Sequence, residues 1–532
     1  MSGRVLVVGS GASGVHFALS LLKKGLRVTM LDVGRQASAP VSPESSLTGL
    51  KDTLADPSGY FLGARYEGVL LPGTAGEYYG IPPSKNYVFD HPPGFGHSSA
   101  GFAPLFSFAR GGLAEAWTGG CYPLNEAEVA EFPFAYRDLA PHYDEVAKRI
   151  GVTGQQDDLA RFMPVHDHLL PPLRLDRHSE QLLGRYASVR DRLNHQGTYV
   201  GRTRVATLST AFGSRQACDY LGRCLWGCPR GSLYTPSQTL QECQSHEGFE
   251  YLSGVEVDHL KLASGRVTAV VARPAGGGPE QEFPADRVAL AAGALLSTKI
   301  VLTSLLRATG QRIRLHGLMD NRQILVPFVN LRMLGEQFSP DSYQYHLLGM
   351  GIESGTPRDY VHGQITTLKT ALLHPIIQRL PFDLSTSTFI MRAVHGALGL
   401  VNVNFRDTRR ETSYVELSDD AVPRLRIHYA PDAGEPGRIA DAMRRLKSAL
   451  RSLHCVVPPG MAHVRPMGAS VHYAGTLPMT RTAAPFTTTE YCQSRDFENL
   501  FLVDGATFPF LPSKNITFTL MANAVRVAET AF

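Results

Sequence analysis

Apolar and polar positions along the chain fall into two rhythms, and the order in which they alternate predicts the architecture. Arg4–Val8 is a β-branched run that stops at Gly9. After Gly14 the apolar positions take a helical spacing, with Phe17, Leu21 and Leu22 on one face and Gly25 as the C-cap. Arg27–Leu31 reads as a second strand, closed by Asp32. Residues 138–150 form an amphipathic helix whose apolar face is Leu139, Tyr143, Val146 and Ile150. Residues 150–203 mix irregular and helical pieces without assignable chemistry. Residues 250–258, 266–272 and 286–291 read as strands, and the last runs into a small-residue turn beginning at Ala292 that opens a helix.

Beyond Asn321 the pattern changes. Residues 324–331, 343–350, 389–393, 398–405 and 414–417 read as strands of a large, mostly antiparallel sheet. Residues 438–453 form a helix, with Ile439, Met443, Leu446, Leu450 and Leu453 apolar, that covers it. Near the end, NLFLVD is a short buried strand and GATFPFLPSKN a Gly/Pro-punctuated turn. ITFTLMANAVRVAE is the last helix, starting at about Asn515 and carrying Leu520, Ala524 and Val527 on one side. The expected class is α/β (α+β overall).

Composition bounds the picture more than it sharpens it. A chain of 532 residues exceeds the usual size of one hydrophobic core, so two domains are expected, discontinuous in sequence. A net charge of +4 without a basic run gives no reason to expect nucleic acid. Residues 288–306 are interrupted by Gly293, Ser297, Thr298 and Lys299 and read as strand, turn and helix, not as a membrane span. Seven cysteines and an opening run too short for a signal peptide point to a reducing, cytoplasmic setting.

Three stretches carry chemistry. Gly9-Ser10-Gly11-Ala12-Ser13-Gly14 lies between strand and helix, and Asp32 ends the next strand, which is the dinucleotide fingerprint in its proper context. The first glycine turns the chain, the second admits a pyrophosphate to the backbone, the third lets the helix close on the sheet, and the acid suits ribose hydroxyls. The fingerprint alone does not separate NAD from FAD, but the strand–helix rhythm stops after Gly34, unlike an NAD domain. Arg110-Gly111-Gly112-Leu113 is a glycine-rich turn suited to a flat ligand, or else a surface loop. Cys218, Cys224 and Cys228 stand at C-x5-C-x3-C-P, a spacing that suits an iron–sulfur cluster or a soft metal. Zinc would need Cys243 or a histidine as fourth ligand, and buried structural thiols are the plain alternative. Finally, His472 precedes the closing strand and Asn515 opens the last helix, whose N-terminus offers free N–H groups to an anionic ring.

The opening fingerprint, AAGALLSTK in the middle, HYAGT near the end and the closing VDGATFPFLPSKNITFTLMANAVRVAE together resemble the glucose–methanol–choline (GMC) family of FAD-dependent oxidoreductases. The resemblance runs along the whole chain in the right order, and its closing segment is the most specific part. It implies a Rossmann-like FAD-binding domain from residues 1–150, 205–320 and 456–532, and a substrate domain from 151–204 and 321–455. Gly9, Gly11, Ala12, Ser13, Gly14 and Asp32 would hold the ADP half of FAD, with Val255 near the adenine. Arg110, Gly111, Gly112 and Leu113 would run along the pyrophosphate and ring, with Ala292, Asp504 and Gly505 beside them. Asn515, Ile516 and Thr517 would face the pyrimidine side of the flavin. His472 falls on the family's catalytic histidine and Asn515 on its partner position. Leu477-Pro478-Met479 replaces the family's usual Cys-Arg/Lys-Met, a departure that touches packing behind the histidine.

The implied reaction is oxidation of an alcohol by hydride transfer to flavin N5, with His472 as base and Asn515 placing the substrate oxygen. The substrate expected is sugar-like, with an aminosugar of the aminoglycoside-antibiotic type as the narrower reading; Glu416, Asp419 and Asp420 are the acids that could meet an amine. The cysteine loop matches that of bacterial sugar dehydrogenases with a [3Fe-4S] cluster, implying an electron exit to a redox protein, with dioxygen as the other acceptor. A bulky apolar alcohol, such as a sterol, is the alternative substrate. A flavin and cluster protein that only carries electrons is the rival of another class, though it would need neither His472 nor Asn515.

Overall fold

The computed structural model describes residues 4–37, 45–68, 77, 81–369, 377 and 380–532. In chain order its main elements begin with strand β1 (Arg4–Val8), helix α1 (Ala12–Lys23), β2 (Arg27–Leu31), α2 (Arg177–His195), β3 (Thr198–Arg202) and β4 (Phe249–Leu252). Next come β5 (Arg287–Leu290), α3 (Ala294–Thr309), β6 (Gln323–Asn330), β7 (Leu348–Ile352), β8 (Val361–Thr367) and β9 (Leu398–Asn404). The chain closes with α4 (Glu435–Ser452), β10 (Cys455–Val456), β11 (Leu500–Leu502) and α5 (Thr517–Ala531). The fold is mixed α/β.

Two sheets organise it. The first is parallel, in the order β11-β5-β1-β2-β4, so its strands come from both ends and the middle of the chain. A parallel sheet has to be covered on both faces. Val5, Val7, Val28, Met30 and Ala289 face α1 and α5, while Leu6, Val8, Leu31, Val288 and Leu290 face α3. The second sheet is antiparallel, in the order β10-β6-β9-β8-β7-β3. Ile324, Val326, Leu348, Met350, Ile365, Val401 and Val403 on one face pack under α2 and α4. Its other face carries the polar partners of the same strands: Gln323, His362, Gln364, Asn402 and Asn404.

Several expected elements move. Residues 389–393 are not a strand but part of the helix Leu384–Val394. Asp383 caps it by accepting from the Thr386 N–H at 3.0 Å, and this local cap outweighs a β-prone run whose Phe389 is exposed. Residues 250–258 are two strands broken at Gly254, whose φ of 76° ends the parallel strand and starts Val255–Ala263 in a separate three-stranded sheet. The 343–350 strand begins only at Leu348. Strands β3 and β8 were not anticipated.

Candidate active site

The end of β1 and the start of α1 meet at the glycine turn, where packing leaves no room for a Cβ at Gly9 or Gly14, while Gly11 meets only an ordinary contact. A Cβ on Gly9 would lie 2.7 Å from the Ala291 carbonyl oxygen, and one on Gly14 would lie 2.1 Å from the Gly9 oxygen. A Cβ on Gly112 would come within 3.2 Å of Gly11 Cα, so two glycine turns are in contact here. Asp32 accepts from the Tyr251 hydroxyl at 2.9 Å and from Ser10 Oγ; burial raises its carboxyl to about 6 despite those donors. Gly111 N–H donates to Ser10 Oγ at 2.9 Å, tying the second glycine turn to the first.

At the far side, Asp504 accepts from Ser297 Oγ at 2.5 Å, Gly293 N–H at 3.0 Å and Ala506 N–H at 3.0 Å. Burial pushes this carboxyl up to about 6 as well. These groups open onto one elongated cavity, with about 1360 Å³ of space including its mouth. Gly9, Gly11, Ala12, Ser13, Asp32, Gly112, Leu113, Val255, Ala292, Asp504, Gly505, Ile516 and Thr517 line it, and so does His472. Two helix N-termini and a glycine-lined floor, crowded against any Cβ at Gly9, form a donor set that fits a dinucleotide.

His472 is buried, and its ring is held by a chain of fixed groups. Its Nδ1 lies 2.9 Å from Asn321 Oδ1. Asn321 Nδ2 donates to two carbonyls, Phe405 at 2.8 Å and Pro512 at 2.7 Å, which fixes the carboxamide so that its oxygen faces the imidazole. An amide oxygen only accepts, so Nδ1 carries the proton and Nε2 does not. Burial, aided by the Arg465 guanidinium, lowers the imidazole to about 4. Behind it, Ser470 Oγ accepts from the His472 N–H at 3.0 Å and donates to Asp320, a carboxyl that burial raises to about 7.

Asn515 lies just outside the cavity wall, two residues before α5 and one before the N-cap Ile516, so the helix starts slightly later than expected. Its Oδ1 accepts from Gln364 Nε2 at 2.6 Å, which turns its Nδ2 donor away from β8. Beside it, Lys514 is wholly buried. It pairs with the equally buried Glu128 at 2.8 Å and donates to the Pro123 and Phe162 carbonyls at 2.7 and 3.0 Å.

Not every expected residue reaches the cavity. Gly14 serves packing, Gly111 serves the turn, and Arg110 bonds Gln244 Oε1 at 2.9 Å instead. The cysteine expectation finds no support. Among the described residues no group of three or more His, Cys, Asp or Glu could hold a metal ion. Burial raises the Cys218 thiol to about 11 and raises that of Cys224 further, with the neighbouring cysteines adding to both. Cys243, the conceivable fourth ligand, sits in the core with its thiol toward the Val15 carbonyl. The acids expected to meet an amine lie elsewhere: Glu416 pairs with Arg314 and Arg426, Asp419 with Arg312 and Arg426, and Asp420 with Arg424. Asn321 and Gln364 were missed because neither belongs to a recognisable motif; strand register delivers Gln364, and the turn before β6 delivers Asn321.

Residues 409–524 match the family model described as GMC oxidoreductase. That match lies in the carboxy-terminal part of the chain. Along the whole chain the protein is similar to 2-methyl-1,2-propanediol dehydrogenase of Mycolicibacterium austroafricanum, 23% identical over 99% of this chain and 94% of the relative. It is also similar to two Streptomyces proteins. One is 6'''-hydroxyparomomycin C oxidase of S. lividus, 22% identical over 99% of this chain and 90% of the relative. The other is paromamine 6'-oxidase of S. fradiae, 24% identical over the same shares. The fold matches the crystal structure of pyridoxine 4-oxidase from Mesorbium loti with a TM-score of 0.60, 16% identity and coverage of 99% and 98% of the two chains. Among the described residues no helix is long and apolar enough to cross a membrane.

Proposed function

We propose that this GMC-type oxidoreductase binds FAD in the elongated cavity and oxidises the CH–OH group of a small, polyhydroxylated, sugar-like alcohol. The observation that carries the reading is His472, which lines the same cavity as the dinucleotide fingerprint with its proton held on Nδ1 by Asn321. FAD, when bound, supplies the acceptor for the hydride. The rest is done by the chain. His472 Nε2 takes the hydroxyl proton as the carbon–hydrogen bond weakens, and its lowered proton affinity keeps it free to do so well below neutral pH. Asn515, its oxygen engaged by Gln364, offers Nδ2 to the substrate oxygen and holds the carbon in place. The N–H groups at the start of α5 favour negative charge developing at the cavity wall. The names of the relatives, a diol dehydrogenase and oxidases of paromomycin-type compounds, support a hydroxyl-rich substrate. An electron exit through Cys218, Cys224 and Cys228 is not part of the proposal, because their placement gives it no support.

Anaerobic mixing of the FAD-loaded protein with a panel of diols, sugars and cyclic polyols tests it. At least one alcohol is expected to bleach the flavin, and His472→Ala to slow that bleaching by about 10²–10⁴-fold. A flavin that stays yellow with every alcohol, or a variant that bleaches at the unaltered rate, overturns the reading.

A further inference from the structure

One residue beside His472 stands in a backbone conformation that its side chain disfavours. Val471 has a φ of 65°, and among the described residues it is the only β-branched one with a positive φ. Branching at Cβ makes the left-handed region costly, whereas glycine enters it freely. Such a conformation persists only where its surroundings hold it, and it is found most often at working sites. It also shapes the site. Val471, His472 and Tyr473 line the cavity in succession, while an extended strand would turn every second residue away.

The groups that hold it come from three consecutive residues ahead of β6. Met319 bridges Ala474 by two backbone bonds, of 2.9 and 3.2 Å. Asp320 accepts from the Gly468 N–H at 2.6 Å through Oδ2 and from Ser470 Oγ through Oδ1, and Ser470 Oγ in turn accepts from the His472 N–H. Asn321 takes the imidazole. Asp320 is wholly buried and itself braced: its N–H donates to Asp407 Oδ2 at 3.1 Å, and Asp407 accepts from the Tyr429 hydroxyl at 2.7 Å. Val471 lies inside the loop that these bonds close, its N–H donating to the Gly468 oxygen at 3.3 Å. Neither Asp320 nor Ser470 lines the cavity.

Resting on the alcohol-oxidation reading, we infer that Asp320 is a positioning residue for proton transfer: through Ser470 it holds Val471 in the left-handed conformation, and that conformation aims His472 into the cavity. A carboxyl that only filled the core would need no strained neighbour, and glycine at 471 would take the same φ at no cost. With valine there, the turn stays left-handed only while it is gripped. Released, Val471 returns to negative φ, and the backbone of His472 turns with it. The ring is then drawn off the Asn321 oxygen and Nε2 off the line to a substrate hydroxyl.

The test uses the FAD-loaded protein and whichever alcohol of the panel bleaches it fastest, with the limiting rate of anaerobic reduction and the substrate dissociation constant read from the concentration dependence. Asp320→Ala and Ser470→Ala are each expected to slow the limiting rate about 10–100-fold, with FAD retained and the dissociation constant within about threefold. Ser470→Ala keeps the carboxyl in place and decides the matter if Asp320→Ala does not fold. The discriminating variant is Val471→Gly, which holds the same φ without strain. In that background Ser470→Ala is expected to cost about threefold or less. Equal losses in the valine and glycine backgrounds, an unaltered rate in Ser470→Ala, or loss of FAD from it overturns the inference. If no alcohol bleaches the unaltered protein, the oxidation reading fails, and a crystal structure of Ser470→Ala still decides the positioning. Val471 is expected there at negative φ with His472 parted from Asn321, and an unmoved turn overturns the inference.

Discussion

Removing the Asn321 carboxamide would free the His472 imidazole to take either tautomer, because among the described residues no other acceptor holds Nδ1. In Asn321→Ala the rate of flavin reduction by a substrate alcohol is expected to fall about 10–100-fold with the flavin still bound, since a misdirected base loses both orientation and proton position. Stopped-flow bleaching measures it. The burial of His472 sets a pH dependence. With the imidazole lowered to about 4, Nε2 stays unprotonated down to that pH, so the acid limb of kcat/KM should lie near 4 and not near the ordinary 6.5 of histidine. Asn321→Asp places a carboxylate against Nδ1, favours the imidazolium, and should move that limb upward. A limb that stays put would show that the contact does not govern the base. At this scale the sequence was half legible. His472 and Asn515 sit in a recognisable closing segment, whereas Asn321 and Gln364 act through register and through a turn packed on the sheet, and nothing in a linear pattern marks them.

Among elements, the strand–glycine–helix unit is the most constrained, and it was also the most readable. Gly14→Ala would drive a methyl group to within 2.1 Å of the Gly9 oxygen, so α1 must back away from β1. A cost of about 1–3 kcal/mol is expected from such overpacking, seen as a lower thermal midpoint together with reduced FAD retention after gel filtration. Gly25→Ala is the contrast: its φ of 78° is strained, but a Cβ there meets nothing, so FAD retention should hold. The elements misjudged were those whose local signals conflict. Residues 389–393 look like a strand until the Asp383 cap is weighed, and β3 and β8 carry glycines and polar residues that dilute the strand signal. The glycines opposite β8 have a reason that shows only in three dimensions. A Cβ on Gly351 would strike the Phe162 ring at 2.2 Å, and one on Gly349 would press on Leu159 at 3.0 Å.

For the whole molecule, buried Lys514 ties the turn before α5 to the segment of Glu128 and Pro123, the latter 391 positions earlier in the chain, and to Phe162, 352 positions earlier. Lys514→Met leaves Glu128 charged and alone in the core, and should cost about 3–5 kcal/mol in urea unfolding. Glu128→Leu combined with Lys514→Met should restore most of it, because removing both charges also removes the desolvation they suffer. A double variant no more stable than the single one would show that the lysine is held for its bonds to the Pro123 and Phe162 carbonyls and not for its charge. The change of rhythm at Asn321 marked the large antiparallel sheet, but Tyr414–Leu417, expected in it, pairs instead with Leu315–His316 and Leu425–His428 in a separate four-stranded sheet, and neither that pairing nor such ties between distant segments was legible.

The pairing of β11 with β5, and the packing of α5 against α1, also set a clock for biosynthesis. The opening unit leaves the ribosome about 500 residues before the helix that completes its site, a wait of about 25–100 s at ordinary elongation rates. For that interval the apolar faces of β1 and α1 lack part of their cover, and the growing chain offers no finished pocket for a dinucleotide. Stalled nascent chains ending before Thr517 should therefore retain no flavin, and capture should follow only after release. In a cell, supply of this protein would then depend on chaperones during translation and on free cofactor after it.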